Sequence, residues 1–147
     1  MNPYISQYQN NQITSASPEQ ILLMLYDGAI RFLKLAKNGI NDNDMATKGK
    51  YLGKALAIIA EFQNSLDHEI GGQIASDLDA LYAYMLKELS TANVHNDKAP
   101  IDVVLDMLSG LRDTWAQAIE INNGQKNGQR EDSASSTSPK PAYYAAM

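Results

Sequence analysis

No cysteine occurs in the 147 residues, so the chain can form neither a disulfide framework nor a reactive thiol, and an intracellular setting is expected. Histidine is nearly as scarce, with only His68 and His95. A di-iron bundle site needs Glu-x-x-His on two helices. Ser65 stands three before His68 and Ala92 three before His95, so the motif fails twice. No Gly-rich phosphate loop, nucleophile motif or zinc spacing is present. The close carboxylates Asp77 and Asp79 fall early in a helical pattern, where the helix dipole accounts for them. No enzyme, cofactor or metal is therefore expected, and no catalytic residue is assigned.

Positive charge is also in short supply. The net charge is −5, and three cations against two anions leave residues 123–147 at +1 and residues 1–122 at −6. A nucleic-acid partner wants a basic surface, so none is expected. No apolar run approaches the ~18 residues of a membrane span. The N-terminal MNPYISQYQNNQ has neither the cationic start nor the apolar core of a signal peptide, so no membrane insertion is expected and the cytoplasm is the expected location. Strand signals are missing throughout.

Helical signals are abundant. Ser17, Pro18 and Gln20 form an N-cap, a favoured first position and a capping-box partner, which predicts a sharp helix start. From there to Ile40 the spacing places Ile21, Leu25, Ala29, Phe32 and Ala36 on one face. Asn41 to Asp44 reads as a turn that caps a second helix, roughly 45–68, with a seam of Leu52, Ala55, Leu56, Ile59, Phe62 and Leu66. Gly71 and Gly72 should stop that segment. A third helix over about 73–92 carries Ile74, Leu78, Leu81, Met85 and Leu89. Pro100 opens a fourth, whose seam is Ile101, Val104, Leu108, Leu111, Trp115 and Ile119.

Four helices of about 20 residues with short connections must run antiparallel to their neighbours. The predicted fold is all-α, an antiparallel up-down-up-down four-helix bundle over residues 17–122. A short N-terminal arm, residues 1–16, precedes it. A Gly-, Ser- and Pro-rich segment, residues 123–147, follows, and its composition predicts a disordered tail. Tyr143 and Tyr144 near its end are its one hint of a binding motif.

Several apolar side chains stand beside the seams. On the first helix these are Leu23, Tyr26 and Ile30; on the second, Tyr51 and Ile58. Tyr82 and Leu86 do so on the third, and Val103 and Met107 on the fourth. Bundle helices often carry an apolar stripe wider than the strict seam, so each suits either the core or a ligand groove.

Specific pieces of the sequence resemble the bacterial flagellin export chaperones of the flagellar secretion system. They are Leu25-Tyr26-Asp27-Gly28-Ala29-Ile30, Ser65-Leu66-Asp67, Leu81-Tyr82 with Tyr84-Met85, Ala92-Asn93, and Leu111-Arg112 with Trp115. Any one is weak alone; in this order, across residues 4–120, they are specific. The resemblance implies a small cytosolic bundle that binds the C-terminal segment of newly made flagellin, keeps it from polymerising, and delivers it to the export gate. It gives the nine flanking residues a use, as an apolar groove for the client. Tyr4 and Tyr8 match the family's N-terminal tyrosine pattern. With Ile5 they are expected to cover part of the groove when no client is bound. The stretch after Asn122 and the run Gln9 to Gln12 have no counterpart in the family's shared core. Readings from other classes are a helical scaffold or adaptor without a flagellin client, and a metal- or haem-binding bundle that spectra of the purified protein would reveal.

Overall fold

The computed structural model describes residues 16–132, with side chains as far as Gln125. It contains four helices: α1 Pro18–Asn41, α2 Met45–Asn64, α3 His68–His95 and α4 Ala99–Asp132. Each start is capped as its sequence dictates. The Gln20 amide donates to Ser17 Oγ at 3.2 Å while the Ser17 amide donates to Gln20 Oε1 at 3.1 Å. The Thr47 amide donates to Asp44, and the Glu69 and Ile70 amides to Asp67. The Ala99 amide donates to Asp97. Each carboxylate satisfies amides that the helix itself leaves open.

Two boundaries differ from the sequence expectation. Ser65 caps the end of α2, so that helix stops short of residue 68. The cause is Asp67, which starts the next helix. The predicted glycine stop survives inside α3, because Gly72 adopts φ 50° and ψ −124°, a conformation that L side chains rarely reach. The short turn His68–Gly71 thus precedes the main run of α3. At the other end α4 continues past Asn122, the expected end of the bundle, to Asp132. Polar Asn, Gln and Lys residues sustain helix well enough to extend one already nucleated by packing. Tyr4, Ile5, Tyr8, Tyr143 and Tyr144 lie outside the described residues.

Each helix packs on its two ring neighbours, α1 on α2 and α4, α3 on α2 and α4, while the diagonal pairs barely touch. Cross-contacts give the register. Asp27 meets Arg112 and Lys37 meets Asp102 between α1 and α4, so residue numbers fall along one helix as they rise along the other. Phe62 meets Tyr26 and Tyr82, and Gln63 Nε2 donates to Asp79 at 2.7 Å. The bundle is antiparallel throughout.

The core is one continuous cluster. On α1 it takes Tyr26, Ala29, Leu33 and Ala36; on α3 it takes Ala75, Leu78, Tyr82, Met85, Leu89 and Ala92. These runs keep the alternating three- and four-residue step of a packed seam. They also correct the predicted faces. Leu25, Ile74 and Leu81 are among the exposed hydrophobics, and their positions inward are held by Tyr26, Ala75 and Tyr82. The seams of α2 and α4 lie where the sequence put them, with Leu52, Ala55, Ile59 and Phe62, and Ile101, Val104, Leu108 and Trp115 buried.

One layer of this core is aromatic and draws on all four helices. Tyr26 stacks on Phe62 with centroids 4.5 Å apart, and Phe62 lies 5.6 Å from Tyr82. Trp115 Nε1 donates to Tyr26 Oη at 3.1 Å, and the Tyr26 and Tyr82 hydroxyls share a 2.6 Å hydrogen bond. Burial pushes both phenols above their ordinary pKa. They stay neutral, and neutral hydroxyls linked in a chain are what a dry core accepts. At the opposite end the buried Lys48 spans from α2 to the end of α3. Its Nζ donates to Asn93 O and to the side chain of Asn96, which sits in the left-handed region.

Candidate protein-binding surface

The nine flanking residues do not form one groove. Tyr26 and Tyr82 are 0% exposed and lie in the aromatic layer, so both are corrected from groove to core. Their hydroxyls find partners there, which removes the usual reason for a tyrosine to stay at the surface. The other seven divide among four seams. Leu23 and Ile30 share a helical stripe with Asp27 and Lys37, which places them toward α4, beside the ion pairs. Tyr51 and Ile58 face α1: Tyr51 stacks on Phe32 at 5.9 Å, and Ile58 Cδ1 lies 3.8 Å from where a side chain on Gly28 would begin. Leu86 lies seven residues from both Asp79 and Asn93, which bond to α2, so it belongs to the α2/α3 seam. All five of these side chains are half-buried.

Val103 and Met107 fall on the side of α4 turned from its α1-facing residues, Asp102 and Arg112. That side faces α3. Ile74 and Leu81 occupy the matching side of α3, away from Asp79 and its α2 partner. Both are 38% exposed, and Val103 is 40% exposed. Ile121, five turns on from Val103, extends the stripe toward the end of the bundle that holds the aromatic layer, and it is more exposed still. Four of the larger exposed apolar side chains thus gather along one seam, α3/α4, whereas a monomer ordinarily scatters them. Sequence reasoning found Val103 and Met107 but assigned Ile74 and Leu81 to the core. The signal was present: the run Ala75, Leu78, Tyr82, Met85, Leu89, Ala92 keeps seam spacing without a gap, and only the small size of Ala75 argued against it.

Among the described residues no group of three or more His, Cys, Asp or Glu side chains could hold a metal ion. Among the described residues, likewise, no helix is long and apolar enough to cross a membrane. What the fold offers is a rigid bundle with an apolar strip on its outside, and that is the anatomy of a module that binds other proteins.

The comparisons with known proteins agree with this class and narrow it. Residues 1–122 match the family described as flagellar protein FliS, and the chain belongs to that family. The flagellar secretion chaperone FliS of Bacillus subtilis is 35% identical over 127 residues, covering 86% of this chain and 93% of that one. The protein of that name from Salmonella typhimurium is 41% identical over 106 residues, covering 71% and 78%. A crystal structure of a bacterial flagellar chaperone superposes with a TM-score of 0.66 at 21% identity, covering 80% of this chain and 98% of that one, which supports the four-helix fold. The curated members of the family are secretion chaperones and not enzymes.

Proposed function

We propose that this chain is a flagellin export chaperone that receives the C-terminal segment of flagellin on its α3/α4 seam. The observation that carries the reading is the exposed aliphatic strip of Ile74, Leu81 and Val103, with half-buried Met107 alongside. An amphipathic client helix laid on such a strip buries its own apolar face, the face it would otherwise offer to another flagellin. Withholding that face prevents assembly without any chemistry. The reading also places the chaperone in the cytoplasm and makes components of the export gate its further partners.

Calorimetry tests the site. A peptide of about 40 residues from the C-terminus of the host's flagellin suits a standard-size interface. Leu81→Asp combined with Val103→Asp is expected to weaken its binding about 10–100-fold, as a charge in an apolar contact loses roughly 1.4–2.8 kcal/mol. Both positions are exposed, so the melting midpoint should hold. Unchanged affinity would move the client to another seam, and no binding by the unaltered protein would favour a scaffold without a flagellin client.

Tyr4, Ile5 and Tyr8 are proposed to cover part of this surface in the empty protein. If that docking is worth about 1–2 kcal/mol, deleting residues 1–12 should tighten peptide binding about 5–30-fold. Weaker binding on deletion would mean that the arm contacts the client instead.

A further inference from the structure

Charge is divided between the two helical hairpins. The helices α1 and α2 carry six cations against three anions, whereas α3 and α4 carry four against ten. The ring order sets the α1/α2 seam opposite the α3/α4 strip. On this basic side an aromatic pair, Phe32 and Tyr51, lies half-buried at the surface with its centroids 5.9 Å apart. Three cations surround it. Arg31 Cζ stands 5.2 Å from the Phe32 centroid, Lys54 Nζ 5.3 Å from the same ring, and Lys50 Nζ 5.3 Å from Tyr51. None of the three forms an ion pair among the described residues, although the chain as a whole is acidic.

We propose that the α1/α2 side is a second docking surface, for an acidic amphipathic helix of a partner protein distinct from the client on α3/α4. Its carboxylates pair with Arg31, Lys50 and Lys54, and an apolar side chain covers the Phe32–Tyr51 stack. The chain's own ends do not complement this surface, because residues 1–15 and 133–147 contain no aspartate or glutamate. An anionic membrane is the poorer match, since three cations on a chain of net charge −5 give a weak lipid contact.

The probe is a synthetic 18-residue helical peptide of leucine and glutamate, titrated into the isotopically labelled full chain. Amide shifts should centre on Arg31, Phe32, Tyr51 and Lys54. The triple variant Arg31→Glu, Lys50→Glu, Lys54→Glu should weaken binding at least about tenfold, as should raising the salt to 0.5 M. Flagellin-peptide affinity should be unchanged in the triple variant. The proposal is overturned if the shifts fall on α3 and α4, if the peptide does not bind, or if a serine/glutamate peptide binds equally well. Binding to phosphatidylserine vesicles in place of the peptide overturns it. So does salt-sensitive self-association abolished by the triple variant, which would make a second copy the occupant.

Discussion

Replacing Trp115 by alanine is expected to destabilise the protein by about 3–5 kcal/mol, the range for truncating a large core side chain. The indole is only 5% exposed and is α4's contribution to the aromatic layer. Its loss leaves a cavity beside Tyr26 and removes the donor that Tyr26 Oη receives at 3.1 Å. The Tyr26–Tyr82 hydrogen bond then loses one link of its chain in a dry setting, where each unmet polar group is costly. In a thermal melt the midpoint should fall by about 10 °C or more. Trp115→Phe separates the two contributions. It keeps most of the ring and drops the indole N–H, so about 1–2 kcal/mol should be lost. A Trp115→Ala protein that melts like the parent but no longer binds client would reassign the residue from the core to the binding surface.

Gly39→Ala is the second change with a large expected effect. A Cβ on Gly39 would stand 2.7 Å from Lys48 N and 3.1 Å from both Asp44 O and Lys48 Cα. Every one of these is backbone, so no rotamer change relieves the clash. The turn is tied down further, since the Asp44 amide donates to Gly39 O at 2.7 Å and the Lys48 amide to Asp44 O at 3.1 Å. Prising α1 from α2 here also pulls Lys48 from Asn93 and Asn96, so the disturbance reaches the end of α3. About 2–3 kcal/mol should be lost, as for overpacking of a rigid site. Gly110→Ala is the control. It sits within α4 with open space around it, so the same substitution should raise stability by up to about 1 kcal/mol. Denaturant titration of both variants measures the contrast, and equal midpoints would show that the α1/α2 turn yields more easily than its hydrogen bonds suggest.

The sequence by itself determined the number and order of the helices, their caps and their antiparallel sense. Ser17, Asp44, Asp67 and Pro100 act within one turn of themselves, and short connections leave neighbours no choice of direction. The resemblance carried by Leu25 to Ile30, Arg112 and Trp115 was likewise legible, and the family match covers the same ground. The division of charge between the hairpins is a property of the sequence, but only the ring order of the helices turns it into two opposite sides.

Which residues of each apolar arc point inward was decided by the tertiary structure. Residues about 100° apart on a helix fit an inward position almost equally well, so periodicity alone could not rank Ile74 against Ala75 or Leu81 against Tyr82. The neighbouring helices rank them. Alanine lets backbones close up, and a tyrosine can go in when a hydroxyl and an indole are placed to meet it, as Tyr26 and Trp115 show. Once Ala75 and Tyr82 were taken inward, Ile74 and Leu81 were left outside beside Val103. The apolar strip on α3/α4 is thus a consequence of how the core closed, and no stretch of sequence read alone contains it.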